Sequence, residues 1–240
     1  MTSRRTLMFP EQFTSISFYQ KKKNILLYRA TDGTHRYVLK SIITKDAAVR
    51  QAFYDEYESL CCLKSPSLPV YYGISENFSY PDREGSYLTL CMEDCSGGIP
   101  LDQYECSMEE LMKILYRTGQ VLLCLLEHGI LYTDLNPSNI LVSGEKDSPQ
   151  IILLDFTFCY YFRRNPHPDY PLRFSYHLDP SLKGNQLLIQ ELSLLMQELM
   201  TGKEDAFQSS SFYLLLQTGL HPSGHLYLKD YLALMKKTLI

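Results

Sequence analysis

The stretch LYTDLNPSNILV, residues 131–142, places an Asp and an Asn five residues apart in a short loop and then continues into an apolar run that predicts a β-strand. Asp134 and Asn139 stand five residues apart in this loop, and a second apolar run, 151–154, is followed directly by Asp155. Side chains at the ends of adjacent strands can converge on one Mg²⁺ ion, which prefers carboxylate, amide and water oxygens. The other Asp would then be free to orient or deprotonate a hydroxyl group. Asp and Asn-Pro also form ordinary turns, and it is the joint order and spacing of the two motifs that favours chemistry.

Upstream of this stretch, the sequence predicts a small sheet with one helix. Asp32-Gly33 lies between two apolar runs and is a strong hairpin signal. In residues 46–64 the apolar residues recur every three or four positions, which predicts an amphipathic helix. The expected strands are 13–18, 25–28, 37–43, 71–75 and 87–92.

The composition changes at the Ser-Gly-Gly-Ile-Pro segment, 96–100, which is typical of a hinge. Beyond it we expect a polar loop at 143–150 and a long irregular segment at 160–182. The expected helices are 108–127, 186–201, 206–218 and 226–238, and the expected strands are 140–142 and 151–154. This order predicts two lobes, an N-terminal one at 1–95 and a helical one at 96–240, with a ligand-binding cleft between them.

Composition excludes several classes of protein. The 240 residues include 23 Lys plus Arg and 27 Asp plus Glu, and the net charge of −4 argues against a nucleic-acid partner. The seven cysteines show no zinc-site spacing, and most of them have apolar neighbours, which indicates buried thiols in a reducing compartment. No apolar run reaches the about 18 residues that span a bilayer, and none follows Arg4-Arg5 as in a signal peptide. We therefore expect no transmembrane segment.

The motifs described so far resemble those of the protein-kinase-like superfamily, most clearly over residues 13–160. The resemblance implies an α+β, bilobal fold, with an antiparallel N-lobe sheet and one helix, and a trimmed, mostly helical C-lobe. Asp134 matches the catalytic-loop Asp that accepts the proton of the substrate hydroxyl. Asn139 matches the Asn that holds the second metal ion, and Asp155 matches the Asp of the D-F-G metal motif.

The resemblance also assigns residues to the phosphate site. The segment YVLK, 37–40, resembles the V-A-I-K strand, which implies that Lys40 binds the nucleotide phosphates. Glu56 lies in the predicted helix at the position of the family's ion-pair partner for this lysine. Glu58 is the competing candidate, on a different face of the same helix.

The segment LCMEDC, 90–95, is similar to the family's hinge. The resemblance implies that Met92 is the gatekeeper residue. It also implies that the backbone from Glu93 to Cys95 contacts the adenine ring.

One departure concerns the loop that covers the phosphates. Residues 17–24 stand where the G-x-G-x-x-G loop is expected, yet they contain no glycine. Glycines let the backbone approach phosphates closely, which the three lysines found there, Lys21, Lys22 and Lys23, do not allow. Their ammonium groups could instead meet phosphates as point charges, or the lysines could form a solvated hairpin tip.

Further departures lie around the catalytic loop. Tyr132 and Thr133 replace His-Arg, and without that Arg we expect no activation by phosphorylation of the chain. Asn136 stands where Ser/Thr kinases have Lys, so its amide could hydrogen-bond the γ-phosphate without supplying positive charge. Thr157 replaces the Gly of D-F-G and restricts the backbone there. No A-P-E motif follows.

The predicted function is an ATP- and Mg²⁺-dependent phosphotransferase that acts on Ser or Thr of a protein substrate, with Lys40, Asp134 and Asn136 in catalytic roles. Two alternatives stay open: a small-molecule kinase, and a nucleotide-binding pseudokinase that serves as a scaffold. Similar trimmed kinases occur among bacterial proteins, including effectors delivered into host cells. The expected location is the cytoplasm, with delivery into a host cell by a signal-peptide-independent route as the alternative.

Overall fold

The computed structural model describes residues 12–146, 148–157, 159–161, 184–201 and 211–239. These residues form two compact units, and the chain passes from one to the other between Gly97 and Gly98. Within the described ranges, no helix is both long enough and apolar enough to cross a membrane.

The first unit is a five-stranded antiparallel sheet with one helix, α1 (Ala47–Leu60). The strands are β1 (Ser15–Lys22), β2 (Ile25–Thr31), β3 (Arg36–Ile42), β4 (Tyr71–Tyr80) and β5 (Arg83–Glu93). Their order across the sheet is β1-β2-β3-β5-β4. The helix begins after Asp46, whose carboxylate accepts hydrogen bonds from the N–H groups of Ala48 and Val49. The strands and the helix expected from the sequence are therefore present, and β4 is five residues longer than predicted.

One face of this sheet is covered by aromatic side chains. The rings of Tyr28 on β2 and Tyr80 on β4 stack with centroids 3.7 Å apart, although two strands separate them in the sheet. Arg83 Nε also donates to the Tyr28 hydroxyl at 2.7 Å. The sheet must therefore coil strongly, and burial of the apolar surface of these rings stabilises the coiled sheet. The cluster contains Leu26, Tyr28, Ala30, Tyr37, Leu39, Tyr80, Tyr87 and Cys91.

The aromatic cluster fixes the direction of Lys40. Leu39 points into the cluster, and successive side chains of a strand point to opposite faces of the sheet. Lys40 consequently points to the other face, where it contacts α1 through Glu56.

The second unit is mostly helical. The helices among its described residues are α2 (Met108–Glu127), α3 (Gly184–Met200), α4 (Ser211–Leu220) and α5 (Leu228–Thr238). Its strands are β6 (Ile99–Pro100), β7 (Ile130–Leu131), β8 (Ile140–Glu145), β9 (Ser148–Leu153) and β10 (Tyr160–Tyr161). Helix α2 begins with a capping box, in which Ser107 and Glu110 satisfy each other's backbone N–H groups. The family-like α+β fold expected from the sequence is thus confirmed.

Two segments of the second unit that the sequence predicts to be irregular contain β-strand. The prediction of a polar loop at 143–150 is wrong, because β8 and β9 stay paired as a hairpin as far as Glu145 and Ser148. The backbone pairing of the two strands extends beyond their apolar residues, so the hydrophobic pattern did not indicate the ends of these strands. Most of the irregular segment predicted at 160–182 lies outside the described residues, and its first two residues form β10, which pairs with β7.

Gly219 on α4 lies where a Cβ atom does not fit. A Cβ there would overlap Ser193 Oγ and lie 2.6 Å from the Tyr231 hydroxyl, and these two buried groups are hydrogen-bonded at 3.0 Å. We expect Gly219→Ala to lower the free energy of unfolding by about 1–3 kcal/mol through overpacking. Gly224→Ala is the control, because no atom lies within 4 Å of its Cβ position. Urea unfolding of both variants tests this, and equal stabilities would contradict it.

Candidate active site

Lys40 on β3 and Glu56 on α1 form a buried ion pair. Lys40 Nζ lies 3.1 Å and 3.3 Å from the two carboxylate oxygens of Glu56, and the side chains are 6% and 0% exposed. The expected pair is therefore present, whereas Glu58 is exposed on the helix. Removing two charges from water carries a large free-energy penalty, which the attraction between them often only balances. Stability alone therefore explains this pair poorly.

Tyr71, at the start of β4, fixes the acidic partner. Its hydroxyl donates to Glu56 Oε1 at 2.8 Å, and the ring is buried. Sequence reasoning missed this residue, because the contact depends on α1 packing against β4. No periodic pattern in the sequence indicates it.

The strand register shows which side chains share the face of Lys40. Lys40 lies directly opposite Leu27 on β2 and Leu90 on β5, and Val38 lies opposite Met92. Residues directly opposite each other in antiparallel strands point to the same face. Met92, the predicted gatekeeper, is therefore on the Lys40 face, two positions along β5 from Leu90, and is almost buried.

The predicted hinge offers fewer backbone groups than its length suggests. Glu93 N–H donates to the carbonyl of Val70 at 2.8 Å, and Asp94 N–H donates to that of Arg36 at 3.2 Å. Among the described residues, none accepts a hydrogen bond from the Cys95 N–H. If adenine binds here, Cys95 is the residue whose N–H can meet it.

The thiol of Cys95 has a raised pKa. Burial, together with the nearby Glu93 and Asp94 carboxylates, raises the pKa of the Cys95 thiol to about 12. The thiol therefore stays protonated at neutral pH and is a poor nucleophile.

In the second unit, residues 132–139 lead from β7 into β8. The side-chain nitrogen of Asn139 donates to the backbone carbonyl of Asp134 at 3.1 Å, which leaves the amide oxygen available as a ligand. Leu154 N–H donates to the Asn139 carbonyl at 2.8 Å, so the residue before Asp155 is tied to the same loop. Asn139 is buried, whereas Asp134 is exposed.

Asp155 has an unusual backbone conformation. Its φ is +61°, a region that residues other than Gly adopt rarely and at a free-energy cost. The Thr157 hydroxyl donates to Asp155 Oδ1 at 3.4 Å, and Thr157 and Phe156 are buried. The surrounding residues therefore hold Asp155 in a strained state, as is common at functional sites.

Tyr132 links the two motifs. Its hydroxyl donates to the Leu154 carbonyl at 2.6 Å, and its ring packs edge-on against Phe156 with centroids 5.3 Å apart. Burial, which is the largest cause, and the nearby Cys159, Asp155 and Asp134 side chains together raise the pKa of Tyr132 well above its ordinary value of 10. The hydroxyl therefore remains a donor at neutral pH. Sequence reasoning noted this substitution but not the hydrogen bond.

Asn136 takes part in turn chemistry. Its side-chain oxygen accepts hydrogen bonds from the Ser138 N–H at 3.0 Å and from the Ser138 hydroxyl at 2.6 Å. This oxygen caps the short 3₁₀ turn Pro137–Asn139. Only the amide nitrogen of Asn136 is then left to donate to a phosphate.

The predicted site residues thus fall into two groups, one in each unit. Lys40, Glu56, Met92, Glu93 and Cys95 belong to the first unit, and Asp134, Asn136, Asn139 and Asp155 belong to the second. The roles assigned to them in binding and catalysis stay predictions.

The donor set in the second unit fits Mg²⁺ better than a resident transition metal. In the described part of the chain, no group of three or more His, Cys, Asp and Glu residues could hold a metal ion. Asp155 and Asn139, the predicted ligands, would offer two oxygen donors, and Mg²⁺ is usually bound by one or two carboxylates together with phosphates and water. The residues present therefore fit an ion that arrives with a nucleotide.

Removing the Tyr132 hydroxyl should weaken both folding and positioning. Tyr132→Phe deprives the Leu154 carbonyl of its donor, which we expect to lower the free energy of unfolding by about 1–3 kcal/mol. We also expect kcat to fall, because the hydroxyl bonds to the residue that precedes Asp155 and restrains the backbone there. This contribution to stability should persist below pH 10 and disappear as the pH rises through the elevated pKa of Tyr132.

The matched control is Tyr116→Phe. The Tyr116 hydroxyl makes only a long contact of 3.4 Å with Gln120 Nε2 on the surface of α2. Chemical unfolding and steady-state kinetics on both variants test the prediction, which an equal effect of the two substitutions would refute.

Comparison with known proteins shows to which protein family the chain belongs. The family model of the protein kinase domain matches residues 24–178, which is more than half of the chain. The chain therefore belongs to the protein kinase domain family. A search of curated proteins finds no significant match. Membership of this family supports kinase activity, with ATP as the phosphoryl donor and a protein as the substrate class.

Proposed function

We propose that this protein is an ATP- and Mg²⁺-dependent kinase that phosphorylates Ser or Thr residues of other proteins. The observation that supports this most directly is the buried pair of Lys40 and Glu56, with Tyr71 bonded to the acidic partner. Such a pair holds a cation in one position, which is what binding the α- and β-phosphates of ATP requires. Glu56 orients Lys40 in this proposal, and Tyr71 orients Glu56.

In the second unit, Asp155 and the amide oxygen of Asn139 would hold Mg²⁺. When bound, the ion would neutralise charge on the phosphate oxygens. Asp134 orients the acceptor hydroxyl and takes its proton as the oxygen bonds to the γ-phosphorus. The bond from that phosphorus to the β–γ bridging oxygen breaks, and ADP leaves. Asn136 donates from its amide nitrogen to the γ-phosphate, which gives less charge stabilisation than a lysine would.

Two other functions are each favoured by one observation. Asn136 in place of the catalytic-loop lysine of Ser/Thr kinases favours a kinase for small hydroxyl compounds. The glycine-free turn between β1 and β2 favours a pseudokinase that binds partners without transferring phosphate. The survival of the five matched positions opposes the pseudokinase; they are Lys40, Glu56, Asp134, Asn139 and Asp155.

The test uses the full chain with Mg²⁺ and ATP labelled at the γ-phosphate. Incubation with a cell lysate, followed by mass spectrometry of new phosphosites, should find the label on Ser and Thr of proteins. Label on sugars or amino alcohols supplied in parallel would identify a small-molecule kinase instead. If nothing is labelled and ATP with Mg²⁺ does not raise the melting temperature, the proposed function is wrong.

A further inference from the structure

The turn between β1 and β2 has no glycine even where its backbone favours one. The last pair of the hairpin is Lys22 and Ile25, so the turn consists of Lys23 and Asn24. Lys23 has a φ of +52°, in the left-handed region that glycine adopts most easily. The match to the kinase family begins at residue 24, after all three lysines. The tip therefore lacks the glycines that would ease a close approach of the backbone to a phosphate.

The register places one of the three lysines on the face of Lys40. Lys22 lies opposite Ile25, which lies opposite Ile42 on β3. Two residues along β2 from Ile25, Leu27 lies opposite Lys40. Because directly opposite residues share a face and alternate residues return to it, Lys22 and Lys40 project from the same face.

The same register gives the separation between the two lysines. They stand two strands apart and two residues apart along the strands, so their Cα atoms are about 12 Å apart by standard sheet spacings. At this separation, the long side chains of Lys22 and Lys40 can both reach an anionic group that lies between them. Lys21, the neighbour of Lys22, points to the opposite face and cannot share such a ligand.

The charge of Lys22 is available to a ligand. Lys22 is exposed, and no carboxylate in the described ranges forms an ion pair with it. Without glycines, the Cβ atoms of the hairpin keep a phosphate away from the backbone N–H groups. A lysine ammonium on a long, flexible stem can reach past this barrier and act as a point charge.

We infer that Lys22 binds the phosphate groups of the nucleotide together with Lys40, in place of a glycine-rich loop. This inference rests on the proposed function, because it assumes that the nucleotide lies on the Lys40 face of the sheet. It makes Lys22 a phosphate-binding residue, and it gives the glycine-free turn a role in nucleotide binding.

The test compares Lys22→Gln with Lys21→Gln, which removes the same charge one residue away on the opposite face. Isothermal titration with Mg²⁺ and ATP, and separately with adenosine, measures the affinity for a ligand with and without phosphates. We expect Lys22→Gln to raise the Kd for ATP about fivefold, the loss of one charged contact, and to leave the Kd for adenosine unchanged. Lys21→Gln should change neither, and the difference should shrink at high salt.

Each other outcome overturns a stated claim. If the two variants bind ATP equally well, the inference about Lys22 is wrong and the proposed function stands. A loss of affinity for adenosine as well as ATP in Lys22→Gln would indicate a distorted hairpin and would also overturn the inference. If the unaltered chain does not bind ATP at all, the proposed function fails and the inference fails with it.

Discussion

Replacing Asp134 by Asn is expected to lower kcat by about 10²–10⁴-fold, the range typical of removing a general base, and to leave the melting temperature unchanged. Asn has nearly the same shape as Asp but cannot take the proton of the acceptor hydroxyl. One contact that holds the loop together runs from the Asn139 side chain to the backbone carbonyl of Asp134, and the substitution keeps that carbonyl. The exposed position of the side chain also limits any effect on stability.

The measurement is single-turnover transfer from labelled ATP, together with thermal unfolding in the presence and absence of nucleotide. The stabilisation by ATP and Mg²⁺ should survive in Asp134→Asn, because Asp134 is assigned to the acceptor and not to the nucleotide. Asp102→Asn is the matched control, since Asp102 is another exposed Asp of the same unit. Full activity in Asp134→Asn would remove this residue from the mechanism.

Local patterns in the sequence were enough to predict most of the elements. The helix from Ala47 to Leu60 and the helix from Met108 to Glu127 both have apolar residues at three- and four-residue intervals and a capping side chain at the start. Strand β1 alternates in hydrophobicity, whereas β3 and β5 read as nearly continuous apolar runs because residues on both of their faces are buried. The ion pair of Lys40 and Glu56 followed from matching the order of motifs to a known family, and not from periodicity.

Contacts between distant strands could not be predicted in this way. The hydrogen bond from Tyr71 to Glu56 and the stacking of Tyr28 on Tyr80 both depend on how the sheet coils. The coil results from summed strand twist and from irregularities in the pairing of β4 with β5, which leave no pattern in a single strand. The 19 Tyr and 11 Phe of the sequence supply large side chains for a core, but their number does not tell which face of the sheet they cover.

The loop around Asn136 shows a different limit. The sequence allowed both a catalytic amide and a turn, and the two uses are compatible at one residue. The oxygen of the Asn136 side chain caps the turn, while its nitrogen can still donate to a ligand. The same residue type serves both purposes because an amide has a donor and an acceptor at one position. Residue identity alone therefore could not separate structure from function there.

Replacing Lys40 by Met should weaken both folding and nucleotide binding. The substitution removes the cation that lies 3.1 Å from a Glu56 carboxylate with no solvent exposure. Breaking a buried ion pair from one side lowers the free energy of unfolding by about 3–5 kcal/mol, which is a large share of the stability of a typical domain. Urea unfolding should show this loss, and titration with ATP should show no binding. These two effects by themselves do not reveal why the pair exists.

The double variant Lys40→Met, Glu56→Gln separates the two effects. The Gln side chain can still accept the hydrogen bond from Tyr71, and it leaves no charge in the interior. Because a buried pair contributes little net stability compared with neutral residues, the double variant should regain most of the stability lost in Lys40→Met. Its ATP binding should remain absent, since no cation has been restored. If the double variant is as unstable as the single one, Lys40 is kept for packing. If stability returns without ATP binding, the pair serves to hold a positive charge in place for phosphate.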